Sequence, residues 1–177
     1  MKPFSCSALF LWATVMLTGC GGGGGDNNSS TPVTTPPTTI KLTTLSGVVA
    51  DGYIQGAIVC LDKNANLLCD TSEIQTTTNN KGEYTLKNVN SDDATTFPVI
   101  ALIPIGAIDQ DDPTHAISQP YTLTTPIGKH AFISPITSLI KEYRDDNALS
   151  TEEASQVIAS LLAAPNSHIL FSNYAVS

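Results

Sequence analysis

The sequence predicts a mainly β fold, a small antiparallel β-sandwich followed by two short C-terminal helices, on three observations. Between Ile40 and Pro126, short apolar or alternating runs recur at Ser46–Ala50, Gly56–Asp62, Glu73–Thr78, Glu83–Val89, Phe97–Ile105 and Ala116–Thr124. Turn residues punctuate them at Asp51-Gly52, Asn79-Asn80-Lys81-Gly82 and Asp111-Asp112-Pro113. Strands at such intervals, broken by Gly, Asn, Asp and Pro, suit a two-layer antiparallel arrangement. Past residue 126 the apolar period changes from two to about 3.6, which marks the switch to helix.

Each helix announces its own start. Ser134-Pro135 places an N-capping hydroxyl before a proline at the first helical position, and Ile136, Leu139, Ile140 and Tyr143 then share a face. Ser150-Thr151-Glu152-Glu153 is a capping box, followed by Ala154, Val157, Ile158, Leu161 and Leu162 until Pro165 breaks the pattern.

The first forty residues have another logic. Lys2 gives a positive start, and Ala8–Leu17 is a run of ten mostly apolar residues. As a helix it would span about 15 Å, half of a hydrocarbon core of roughly 30 Å, so it is too short to remain as a membrane span. It suits the apolar segment of an export signal. The run ends in Leu17-Thr18-Gly19-Cys20, which resembles a bacterial lipobox. That resemblance implies cleavage before Cys20, a diacylglycerol on its thiol and an acyl group on the new amine, and more than one acyl chain anchors stably. Residues 21–39 (GGGGGDNNSSTPVTTPPTT) have the composition of a tether, and a coil of that length reaches roughly 25 Å. Gly21, where an aspartate would imply inner-membrane retention, makes the outer membrane the expected location. The expected organisation is therefore signal peptide 1–19, lipidated cysteine and tether 20–39, β-sandwich 40–126 and helical segment 127–177.

The chain of 177 residues is 41% hydrophobic and has 8 Lys and Arg against 16 Asp and Glu. Removal of the leader takes Lys2 and leaves 7 against 16, a net charge of −9. Such a surface repels phosphate backbones, so no nucleic-acid partner is expected. Cys6 would leave with the leader and Cys20 would carry lipid. Cys60 and Cys69 then remain in an oxidising compartment, where a disulfide is expected in preference to a redox pair or a metal site.

Gly47-Val-Val-Ala-Asp51, Gly56-Ala-Ile-Val59 and Thr78-Asn-Asn-Lys-Gly82-Glu-Tyr84-Thr-Leu86 resemble the prealbumin-like carboxypeptidase-regulatory-domain superfamily and the B-type repeats of bacterial surface adhesins. The resemblance covers about residues 45 to 90. It implies an accessory module, here a non-catalytic binding or adhesion-type unit for a protein or glycan ligand. Ile133–Leu139, the helix after Ser150 and Leu170–Tyr174 are similar to the region that follows the β-domain in larger proteobacterial surface lipoproteins. A structural protein, or a shortened relative of a longer surface protein or exoenzyme, is the alternative expectation.

One loop carries candidate ligands. Asp62, Asn64, Asn66, Leu68, Asp70 and Glu73 fall at positions 1, 3, 5, 7, 9 and 12 of a calcium-loop pattern, with Leu68 supplying its carbonyl. The adhesin repeats use a similar Asp-x-Asn-x-Asn loop for calcium. Position 6, normally glycine, is Leu67 here, and the other reading is a polar hairpin loop stapled by Cys60–Cys69. Catalytic patterns are missing from the sequence. His115, His130 and His168 are scattered, Asp109, Asp111 and Asp112 read as a solvated loop, and Ser134 and Ser138 have no base placed beside them. The expectation is a protein that is not an enzyme.

Replacing Cys20 with serine tests the anchor. Cys20→Ser is expected to abolish incorporation of labelled fatty acid and to release the chain from membranes or stall its processing. Equal labelling of wild type and variant would contradict the lipobox reading.

Overall fold

A computed structural model describes residues 39–173. The proposed signal and most of the proposed tether lie outside the described residues, as do residues 174–177. Among the described residues there are nine strands in three sheets with three short α-helices, a mainly β architecture.

Strand β1 (Leu42–Val49) is the middle of a three-stranded sheet. On one side it pairs antiparallel with β5 (Glu83–Asn90), from Leu42 opposite Asn90 to Val48 opposite Glu83. On the other it pairs in parallel with β9 (Phe132–Ile133), Val48 beside Phe132 and Val49 beside Ile133. The parallel pair departs from the purely antiparallel expectation. It also makes the first residues of the segment expected to be helical into sheet. The approach is close at Gly47, where an added Cβ would lie 2.4 Å from the His130 carbonyl oxygen.

Strand β5 alternates with Tyr84 and Leu86 inward, and continued alternation would put Asn88 in the core and Val89 outside. A bulge prevents that. Thr43 faces Val89 and Leu45 faces Leu86, so β5 has one residue more than β1 in this stretch, and Asn88 takes a positive φ of 59°. The extra residue returns Val89 to the buried face.

A four-stranded antiparallel sheet has the order β4–β3–β6–β8, formed by β4 (Gln75–Thr77), β3 (Ile58–Leu61), β6 (Val99–Ile103) and β8 (Tyr121–Thr124). β2 (Ile54–Gln55) and β7 (Ile108–Asp109) form a small separate ribbon. The core joins both larger sheets: Leu45, Val49, Leu86 and Val89 from one pack with Val59, Leu61, Val99, Ala101 and Leu123 from the other. Residues 38–177 cluster as one compact unit, with no boundary near residue 126.

Helix α1 (Ser91–Thr96) occupies a stretch read from sequence as a connection. The Asn90 side chain caps it by accepting from the Asp92 N–H, and Asp92 and Asp93 suit the positive end of its dipole. Helices α2 (Pro135–Asp146) and α3 (Thr151–Leu161) start where the caps place them, Ser134 pairing with Thr137 and Ser150 with Glu153. Their buried faces differ from the expected stripes. Ile140, Ala154 and Ile158 are buried, but Leu139, Leu161 and Leu162 are exposed. These helices pack against each other and the 3-10 turn Ser167–Phe171, forming a small core of their own, so the face between them is narrower than the apolar stripe.

Hydroxyl groups dock α2 on β8. Thr124 donates its N–H to Ser138 Oγ at 2.8 Å, and its carbonyl accepts from Thr137 Oγ1 at 2.9 Å. No helix among the described residues is long and apolar enough to cross a membrane.

Gly47→Ala tests the β1–β9 contact. Its methyl group must push against backbone, and overpacking of that kind costs about 1–3 kcal/mol. Chemical denaturation of the variant should show a loss in that range, whereas an unchanged midpoint would place β9 further from β1.

Candidate functional site

The loop 62–73 leaves the end of β3 and returns into β4. Cys60 and Cys69 are joined by a disulfide with a Cα–Cα distance of 5.6 Å, so the bridge ties the loop to the strand that feeds it. Asp62 is fully buried and Glu73 nearly so. Two buried carboxylates without a cation require strong hydrogen bonds, and the loop backbone supplies them.

Asp62 accepts from the N–H of Asn66 at 3.2 Å and of Leu67 at 3.1 Å. Glu73 accepts from Lys63 N–H at 2.7 Å through one oxygen and from Asp70 N–H at 3.1 Å through the other. Each carboxylate therefore stitches together two points of the loop. Asn64 Oδ1 accepts from the Asn66 N–H at 3.2 Å, and Asn66 Oδ1 from the Leu68 N–H at 2.8 Å. Both amide NH2 groups then donate to one oxygen of Asp70, at 2.8 and 2.9 Å. Five of the six expected residues thus engage one another or the loop backbone through their side chains.

Leu67 takes a φ of 60° and Ala65 a φ of 58°. These are left-handed conformations that cost a non-glycine residue about 1–3 kcal/mol each. The chain therefore makes a left-handed turn at position 6 without the usual glycine, and the bonds from Asp62 and Asn66 to the Asn66, Leu67 and Leu68 N–H groups hold that turn closed.

The donor chemistry suits a hard cation: three carboxylates, two amide oxygens and a backbone carbonyl. The arrangement as it stands is turned to other work. Both Asn amides present NH2 groups to Asp70, and Asp62 and Glu73 each give both oxygens to backbone N–H groups. Among the described residues no group of three or more His, Cys, Asp or Glu is placed to hold a metal ion. A cation at this loop must first displace bonds the loop already makes.

Lys63 fastens the loop outward. Its ammonium lies 2.8 Å from Asp93 of α1 and 5.7 Å from the centre of the Phe97 ring. The exposed ion pair is worth little, but with the ring contact it orients the loop beside α1.

A second acidic group was not legible as a unit in the sequence. Burial, with Asp109 and Asp111 nearby, pushes the Asp51 carboxyl above its usual range, while a hydrogen bond with Tyr121 opposes the shift. The Tyr121 hydroxyl is pushed up to about 12, by burial and then by the charges of Asp51 and Asp109. Gly52 allows this crowding at a φ of 118°, because an added Cβ would lie 2.2 Å from Asp109 Oδ1. Asp112 sits apart, paired with exposed His115 at 2.9 Å.

The hydroxyls considered as nucleophiles have structural partners. Ser134 Oγ accepts from the Thr137 N–H, and Ser138 Oγ donates to the Ser134 carbonyl. His130 is elsewhere, its carbonyl accepting from the Tyr84 hydroxyl.

No family model, curated protein or solved structure matches the chain.

Glu73→Ala is expected to destabilise the unit by about 2–4 kcal/mol, since it removes two charge-assisted bonds and leaves two backbone N–H groups to find water. Amide hydrogen exchange should accelerate at Lys63 and Asp70 before it does in β6. Exchange that rises equally everywhere would show that Glu73 is not a local brace.

Proposed function

We propose that this chain is an envelope lipoprotein, held by lipid on Cys20 and presenting a non-catalytic accessory module for a protein or glycan ligand. The observation that carries this reading is the Cys60–Cys69 bond. A disulfide in a small domain belongs to an oxidising compartment, where a chain bearing the Leu17–Cys20 motif would fold. Residues 21–39 then act as the tether and the outer membrane is the destination. The two larger sheets act as the layers of a β-sandwich, supported by their shared core. This is the arrangement implied by the resemblance to prealbumin-like and adhesin-repeat domains.

Calcium is proposed as a weak structural ligand of the loop. Asp62, Asn64, Asn66, Asp70 and Glu73 would offer side-chain oxygens and Leu68 its carbonyl, in a loop that already turns left-handed at Leu67. The bonds that must be exchanged place affinity at the weak extracellular end, on the order of 10⁻⁴–10⁻³ M. At about 1 mM calcium and a dissociation constant near 0.1 mM, binding adds about 1.4 kcal/mol. The disulfide contributes more, about 2.7 kcal/mol for ten closed residues.

Removing calcium should therefore loosen the loop and leave the unit folded. Thermal melts of the Cys20→Ser chain in about 2 mM calcium and in chelator are expected to differ by a few degrees, with the difference lost in Asp62→Ala plus Glu73→Ala. Identical midpoints, or a shift that persists in the double variant, would leave the loop as a polar turn braced by its own carboxylates.

A further inference from the structure

Two leucines stand at the tip of the loop in a position that its bracing does not explain. Leu67 and Leu68 are 40% and 52% exposed, side by side, on a loop whose carboxylates are turned inward. A polar turn needs neither side chain. Their place in the fold is specific: they lie at the end where the chain arrives from residues 21–39.

Several contacts establish that common end. β1 begins at Leu42, opposite Asn90. The Ser91 N–H donates to the Lys41 carbonyl at 2.8 Å, which puts the start of α1 on the incoming chain. Asp93 of α1 holds Lys63 of the loop, and the Asp62 N–H donates to the Pro98 carbonyl at 3.0 Å. Leu42 is itself exposed there. Exposed apolar groups thus gather around the point where the polypeptide leaves toward Cys20.

We propose that this end is a membrane-facing surface, with Leu67 and Leu68 seating in the headgroup region of the bilayer that holds the anchor. The inference rests on the lipoprotein reading. Nineteen residues of tether composition reach roughly 25 Å, so the unit stays within a protein diameter of the lipid surface. Confinement of that kind converts weak contact into an effectively intramolecular one, and two leucines suffice where free domains would need a larger patch. The net charge of −9 and the acidic first turn of α1 disfavour anionic lipid, which selects a zwitterionic surface. In that pose the opposite end of the unit, with the 104–107 turn, faces away from the membrane.

The test uses tryptophan as a depth gauge, because the sequence has one tryptophan, Trp12, which would leave with the leader. The processed full chain carrying Leu68→Trp is reconstituted in phosphatidylethanolamine–phosphatidylcholine vesicles, and Ile105→Trp serves as the control. Ile105 is 67% exposed and follows β6 at the end opposite the loop. Emission from Leu68→Trp should shift to the blue and lose most of its intensity with brominated phosphatidylcholine, while Ile105→Trp stays unshifted and unquenched. A chain that floats with the vesicles but has both tryptophans in water overturns the membrane-facing surface and leaves the anchor standing. A chain that does not float overturns both. A blue shift that grows with protein concentration and is insensitive to brominated lipid assigns the leucines to contact between copies, and also overturns the proposal.

Discussion

Strand β1 has two partners of opposite direction, and most of the architecture follows from keeping both. Antiparallel pairing with β5 requires the bulge at Asn88, or Val89 would leave the core. Parallel pairing with β9 requires a residue without a side chain at Gly47, because the neighbouring backbone passes too close for a methyl group. Once β9 is fixed, Ser134 caps α2 one residue later, and that helix and α3 are delivered beside the sheet. The C-terminal helices are in this sense an extension of β1, not a separate body.

Much of this was readable because the local signals were strong. The capping boxes at Ser134 and Ser150 located both helix starts, since a hydroxyl or carboxylate at those offsets satisfies N–H groups that would otherwise be orphaned. The alternation in β5 and the turn glycine at position 82 placed that strand to within a residue at its C-terminal end. What stayed hidden was non-local. β9 is two residues long and gains its identity only by lying next to β1, and α1 is six residues whose cap is an asparagine in a polar stretch. The exposed Leu139 and Leu161 show the same limit: periodicity names an apolar stripe, but the neighbours decide how much of it is covered.

The loop was legible as chemistry and not as arrangement. Spacing correctly grouped Asp62, Asn64, Asn66, Asp70 and Glu73, because alternate residues of a curling loop face one centre. It could not say which way the two amides would turn, nor that the carboxylates would spend their oxygens on the Asn66, Leu67, Lys63 and Asp70 backbone. Leu67 was the informative departure. Its left-handed backbone is strained, and the hydrogen bonds around it supply what a glycine would have made unnecessary. The Asp51–Asp109–Asp111 group had no sequence signature, since its members meet only through the contact of Gly52 with the β7 region.

The hydroxyl contacts between α2 and β8 carry one more consequence. β8 is the last strand of its four-stranded sheet, so its outer backbone groups are a template on which a foreign strand could grow. Ser138 and Thr137 occupy the N–H and carbonyl of Thr124, and Thr122 leans on the loop through the Leu67 carbonyl. A helix and a loop thus cap the rim from two directions. A domain crowded among copies on a lipid surface gains from that shielding, because sheet-to-sheet polymerisation would have to strip α2 away first.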